Sequence, residues 1–247
     1  MSLHQIDFYS NVLQKNMHLN LLLPHLKTIP QKKPHFPTLW LLHGLGGDET
    51  SWLRNTEIET LADQAGLAVV MPDADRSFYI NRPGAPYWDY LTTEIFQTAR
   101  ALFPLAHDRK NNFVAGDSMG GYGALKWAFN QPNRFAAVAA LSPVLDLKAL
   151  KTAPNVALPD FKTLFAGRDL KKGPLAIPWL AKNKVLDLDV YLATADHDYL
   201  RKQALKLKPV LEKRLGERFT WRDDQGSHNW TLWKKQLPDV IHWLPLN

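Results

Sequence analysis

The chain has 247 residues, 45% of them hydrophobic and 22% charged, which excludes a disordered or fibrous protein. Surface-scaling relations give roughly 41,000 Å² unfolded and about 11,000 Å² folded, so one large core fits, although length alone allows one domain or two. With no cysteine, disulfides, thiolate metal sites and a cysteine nucleophile are excluded.

The longest uncharged stretch, Pro34 to Gly47, covers 14 residues, whereas a membrane-spanning helix needs about 20. The start, Met1-Ser-Leu-His-Gln-Ile-Asp7, lacks the cationic region and apolar core of a signal peptide, so a cytoplasmic protein is expected.

Short apolar runs alternate with amphipathic ones. Strands are expected at Ile6–Ser10, His18–Leu23, Thr38–His43, Leu67–Met71, Asn112–Ala115, Ala136–Leu141, Val190–Thr194 and Arg218–Arg222. Helices are expected around Glu57–Ala65, Leu91–Leu102, Gly121–Phe129, Arg201–Leu215 and Trp230–Trp243. A β-rich start followed by β-α alternation implies a mainly parallel sheet with helices on both faces. Between Pro143 and Asp187 five prolines interrupt any period, and this segment (144–187) reads either as a small lid over the sheet's functional edge or as a long connection.

The net charge of +6 is local. Tyr199 to Arg222 holds eight Lys/Arg against two Asp/Glu, an excess equal to that of the whole chain. Leu200, Ala204, Leu205, Leu207, Leu211 and Leu215 recur there at near-helical spacing, so the run reads as a surface helix with a lysine-rich outer face. A nucleic-acid patch needs aromatics among the cations, and none falls between Arg201 and Arg218.

The strongest chemical signal is Asn112-Phe-Val-Ala-Gly-Asp-Ser-Met-Gly-Gly-Tyr-Gly-Ala-Leu-Lys-Trp127. It reads as an apolar strand, then Gly116-x-Ser118-x-Gly120, then a helix. A nucleophile on so tight a turn brings the residues two before and two after it together, and glycine at both positions avoids the clash. From this chain's Gly and Ser frequencies the pattern should arise by chance only about 0.02 times. The turn exposes the Ser118 hydroxyl and aims a helix N-terminus at it, which favours negative charge.

A second element, Thr38-Leu-Trp-Leu-Leu-His-Gly-Leu-Gly-Gly47, runs a hydrophobic strand into a glycine-rich loop. Acyl transfer needs two N–H donors for the developing oxyanion. One comes from the residue after the nucleophile, here Met119, and the other from this upstream loop, where Leu45 is the expected donor. Neither G-x-G-x-x-G nor the lysine-bearing phosphate loop is present. His43 is read as a buttress of the loop, since a catalytic base there would break the chain order Ser, acid, His.

Among the histidines from residue 107 onward, His107 precedes Ser118 and His242 falls in the last helix pattern. His228, in the polar Asp224-Gln-Gly-Ser-His-Asn-Trp230 after the final strand, is the expected base. The acid should follow the penultimate strand, where Val190-Tyr-Leu-Ala-Thr-Ala-Asp-His-Asp-Tyr-Leu200 offers Asp196 and Asp198, and periodicity does not separate them. A metal site at Asp-His-Asp lacks a complementary ligand cluster.

Together, Leu42-His-Gly-Leu-Gly-Gly47, Ser51-Trp-Leu53, Val70-Met-Pro72, Gly116-Asp-Ser-Met-Gly-Gly-Tyr-Gly123, Ala195-Asp-His-Asp-Tyr-Leu200 and Ser227-His-Asn-Trp230 resemble the esterase D-like branch of the α/β-hydrolases. The likeness runs over nearly the whole chain and is nearest to bacterial short-chain tributyrin and acetyl esterases. It implies an α/β-hydrolase fold: a mostly parallel eight-stranded sheet flanked by helices, in one domain. Aligned with the family's Gly-x-x-Asp-Phe-Leu-type motif, the acid is Asp198, with Ala195 replacing the usual glycine. S-formylglutathione hydrolases of the same superfamily usually carry a cysteine in the oxyanion loop and a histidine before the nucleophile; this chain has Leu45-Gly-Gly47 and Asp117.

The resemblance implies a serine carboxylesterase for short acyl esters, acting by two-step acyl transfer with no metal or organic cofactor. Its partner is a small-molecule ester, with no nucleic acid and no membrane span; a homo-oligomer is compatible with the sequence. Trp52, Trp88 and Trp230 flank the expected site loops and are candidates to line the acyl or alcohol pocket, while Tyr122 is expected to pack beneath the site. The competing readings are an acyltransferase, a thioesterase of the S-formylglutathione type, and a non-catalytic ligand-binding α/β-hydrolase.

Overall fold

The computed structural model describes residues 1–25, 35–152 and 158–246. Strand β1 (Ser2–Ser10) shows the alternating exposure of a sheet edge, and a tight turn returns it as β2 (Lys15–Leu23). The next strands, β3 (Thr38–Leu42) and β4 (Ala68–Pro72), are buried at every residue, as continuous apolar runs covered on both faces must be. A short ribbon, β5 (Asn81–Arg82) with β6 (Ala85–Pro86), stands apart. The remaining strands are β7 (Asn112–Asp117), β8 (Ala137–Leu141), β9 (Asp189–His197) and β10 (Phe219–Ser227).

The main sheet has eight strands in the order β1-β2-β4-β3-β7-β8-β9-β10. Pairing is antiparallel for β1/β2 and β2/β4 and parallel from there onward. All eight expected strands are present. The helices are α1 (Ser51–Asn55), α2 (Ile58–Ala65), α3 (Tyr87–Asp89), α4 (Phe96–Leu102), α5 (Ser118–Asn130), α6 (Phe161–Phe165), α7 (Ile177–Asn183), α8 (Arg201–Leu215) and α9 (Trp230–Trp243).

The period of two along each strand splits the core into two layers. Leu39, Leu41, Val69, Phe113, Ala115 and Ala139 face one side with Trp52, Ile58, Ala62, Leu237 and Ile241 of α1, α2 and α9. Trp40, Leu42, Val70, Val114, Val138 and Ala140 face the other, with Leu125 and Trp127 of α5, Leu180 of α7 and Leu207 of α8. The sheet therefore has helices on both faces, and the C-terminal ends of its parallel strands stay open for a site.

Three elements depart from expectation. The helix expected at Leu91–Leu102 begins at Tyr87 and contains a π turn, Tyr90–Ile95, where the Thr92 hydroxyl donates to the Trp88 carbonyl (2.8 Å) and Arg134 donates to the Thr92 carbonyl (2.5 Å). Strands β9 and β10 run three and five residues past the last apolar-patterned positions, because parallel pairing with each other continues into the polar sequence. In α8, Ala204, Leu207, Leu211 and Leu215 are buried but Leu205 is 38% exposed, off the apolar stripe among the lysines.

The described part of segment 144–187 carries α6 and α7. Leu164, Phe165, Ile177 and Leu180 enter the core, and the buried Tyr122 of α5 donates its hydroxyl to the Leu175 carbonyl at 3.1 Å. No described helix is long and apolar enough to cross a membrane.

Candidate active site

Strand β7 and helix α5 meet without a loop, and Ser118, the first residue of α5, has φ +51°, a left-handed value rare for a side-chain-bearing residue. A Cβ on Gly116 would stand 2.5 Å from the Gly120 carbonyl carbon, and one on Gly120 would stand 2.2 Å from the Leu42 carbonyl oxygen. Both glycines are therefore required by backbone meeting backbone. The turn is closed against the end of β3, which is also where the glycine-rich loop begins.

That loop is a tight turn, with the Gly47 N–H donating to the Gly44 carbonyl at 3.1 Å. His43 supports it from beneath. Its Nε2 accepts from the Ala74 N–H (3.0 Å), which assigns the proton to Nδ1, and Nδ1–H donates to the Gly44 carbonyl (2.8 Å). Burial holds His43 below the usual imidazole range, consistent with this neutral tautomer. Tyr79 adds a second brace by donating its hydroxyl to the His43 carbonyl (2.8 Å), and its own carbonyl accepts from Lys126 Nζ of α5 at 2.7 Å. Leu45 lines the cleft above this frame. Met119 is fully buried in the first turn of α5, where backbone N–H groups lack an intrahelical acceptor.

Across the cleft, His228 follows β10 and precedes Asn229, the N-cap of α9, whose side-chain oxygen accepts from the Leu232 N–H at 3.2 Å. Strand β10 bulges between Asp224 and Ser227, with Gly226 at φ +149°, and a bulge re-aims the side chains beyond it. The Gly226 N–H donates to Asp196 Oδ1 (2.9 Å), so Asp196 clamps the bulge from a solvent-exposed position. The structure brings Ser118, His228 and Asp198 together. His228 Nε2 lies 2.9 Å from Ser118 Oγ, and Nδ1 lies 3.1 and 3.2 Å from the two oxygens of Asp198. The Asp198 carboxylate is fully shielded from solvent and also accepts from the Leu200 N–H at 2.7 Å. The expectation of a polar turn over Asp224–Trp230 is corrected here: residues up to Ser227 belong to the strand, and the turn is confined to His228 and Asn229.

This geometry can move a proton from Ser118 to His228 as the hydroxyl attacks a carbonyl, with Asp198 orienting the imidazole. The cleft around it has a volume of about 420 Å³. Trp230 lines it, but two of the expected aromatic contacts do not. Trp52 is 1% exposed, donates Nε1–H to the Leu42 carbonyl (3.1 Å) and supports Trp230 edge-on at 5.1 Å. Trp88 lies over Lys126 Nζ at 3.4 Å in a different depression. The spacing in sequence that placed them near the loops carries no information on which way each ring turns.

Sequence reasoning missed Tyr199, whose ring is 4.4 Å from that of His228, and Trp233, edge-on to His228 at 5.1 Å. Their adjacency to Asp198 and Trp230 was the available signal. It also missed Arg54 and Asn55 of α1, and Asp117, which is 1% exposed with Oδ1 lacking a hydrogen-bond partner. No cluster of three metal-ligating side chains occurs among the described residues.

The model of a family described as "Putative esterase" matches residues 10–244. An acetyl esterase of Caldicellulosiruptor saccharolyticus is 28% identical, over 99% of this chain and 98% of its own length. Among solved structures, the Staphylococcus aureus fluorophosphonate-binding serine hydrolase F superposes with a TM-score of 0.87 at 29% identity, covering 100% of this chain and 98% of its own. An S. aureus S-formylglutathione hydrolase superposes at 0.82 and 28% identity, with both chains covered completely. These relatives share the α/β-hydrolase architecture described above.

Proposed function

The chain belongs to this esterase family and is a serine hydrolase of carboxylic esters, and on that premise we propose that Ser118, His228 and Asp198 hydrolyse short acyl esters, acetyl to butyryl, through an acyl-enzyme. The observation that carries this reading is the continuous contact from Ser118 Oγ through His228 to Asp198, at 2.9 and 3.1 Å. Ser118 attacks the ester carbonyl, His228 takes its proton, and the N–H groups of Leu45 and Met119 hold the oxyanion. His228 then protonates the leaving alcohol, and a water that it activates releases the acid. The acetyl esterase relative supports a short acyl group. Release of para-nitrophenol from acetate, butyrate and octanoate esters tests the reading. The short esters should turn over fastest, and Ser118→Ala should lose on the order of 10⁴–10⁶ in turnover. Equal rates in the two proteins would remove Ser118 from the mechanism.

A further inference from the structure

Two carboxyl groups and one guanidinium line the cleft beside Ser118: Asp48, Asp117 and Arg54. Two of them are engaged by the protein itself. Asp48 Oδ1 accepts from the Thr50 N–H (2.8 Å), the Thr50 hydroxyl (2.6 Å) and the Ser51 hydroxyl (3.4 Å). Burial would raise its carboxyl, but these donors outweigh it and hold the group below the usual carboxylate range. Asp117 is buried beneath the loop, with Oδ2 pressed against Gly44, where a Cβ would stand only 2.3 Å away. Arg54, in the last turn of α1, is the cation of the cleft, and its guanidinium makes no hydrogen bond or ion pair among the described residues. The same cleft is lined by Leu45, Tyr199, Trp230 and Trp233, which present apolar surface.

A planar guanidinium with free donors at the margin of a half-apolar cleft matches a carboxylate carried on an otherwise apolar molecule. A volume of about 420 Å³ also exceeds what an acetyl group occupies, leaving room for a larger alcohol or acyl half. We propose that Arg54 makes this enzyme selective for esters that carry a carboxylate, held by the guanidinium while Ser118 attacks the ester carbonyl. The inference rests on the Ser118-centred reading above. The carboxylate takes no part in bond making: water is consumed, the ester bond breaks, and acid and alcohol are released as with a neutral ester.

The test uses two matched pairs. A carboxylate on the alcohol half is probed by para-acetoxybenzoate against its methyl ester, and one on the acyl half by phenyl hydrogen succinate against phenyl butyrate. The wild-type protein should prefer the charged member of at least one pair. Arg54→Gln should lower that preference by about tenfold or more, mainly through KM, and Arg54→Lys should restore part of it. Because Arg54 is solvent-exposed, raising the salt to about 1 M should erode the wild-type preference in the same direction. Preferences that are the same in wild type and Arg54→Gln for both pairs overturn the proposal. Failure of the wild type to hydrolyse any of the four esters, or hydrolysis that survives Ser118→Ala, would instead overturn the underlying reading, so the two failures are separable.

Discussion

Replacing Asp117 with asparagine should stabilise the protein near neutral pH and destabilise it in acid. Burial pushes the Asp117 carboxyl up to about 8, against the opposing pull of the backbone N–H groups of Asp117 and Gly44. In an unfolded chain an aspartate titrates near ~3.9. Between these values the folded protein keeps a proton that the unfolded chain gives up. Stability therefore falls as pH rises through this window, by about 1.36 kcal/mol per unit, and is fully present only below the unfolded value. By pH 7 the loss is on the order of 4 kcal/mol. Asparagine does not ionise, but its amide brings one more buried donor than the protonated acid, at a cost of about 1–3 kcal/mol. The variant should thus be more stable by roughly 1–3 kcal/mol at pH 7 and less stable by a similar amount near pH 4. Urea unfolding of both proteins across this range measures the difference directly. A difference that does not change with pH would mean that Asp117 has the same charge in the folded and unfolded states, and would refute the reasoning.

The roles of the two candidate acids should separate cleanly: Asp198→Asn should cut kcat by ~10⁴, whereas Asp196→Asn, which loosens only the exposed bulge clamp, should stay within about tenfold, as steady-state kinetics would show. Tyr79→Phe leaves the His43 carbonyl without its hydroxyl donor, so a loss of about 1–3 kcal/mol is expected in urea unfolding, with kcat falling more than KM rises as the oxyanion loop relaxes. Gly120→Ala would drive a Cβ to 2.2 Å from the Leu42 carbonyl oxygen, so the folded, active protein should be recovered poorly or not at all; a soluble variant with wild-type turnover would contradict the closed turn.

Much of the fold was legible because its causes are local. Runs such as Leu39–Leu42 and Ala136–Leu141 are apolar throughout, which only a strand covered on both faces tolerates, and their alternation with amphipathic segments dictates a layered parallel sheet. The nucleophile turn was legible for the same reason, since Gly116 and Gly120 are demanded by contacts within the turn and with the strand beside it. His228 came from chain order. Less legible were the ends of β9 and β10, whose polar residues are held by pairing with each other across 30 positions of sequence rather than by their own pattern.

By itself, then, the sequence determined the sheet and the tight turn at Ser118 and singled out His228 as the candidate base, because steric closure and apolar burial leave a local pattern and chain order does the rest. The residue pattern left Asp196 and Asp198 open and the family resemblance pointed to Asp198, but only the tertiary structure shows why it is Asp198 that meets His228. Strand β9 ends at His197, the Asp198 N–H turns back to the Ala195 carbonyl at 3.1 Å, and that turn carries one carboxylate inward to His228 while the other stays in solvent. It also sent Trp52 into the core and Trp88 to another depression, and brought Arg54 and Tyr199 into the cleft. These choices depend on side-chain direction across elements distant in the chain, and neither residue type nor spacing encodes that direction.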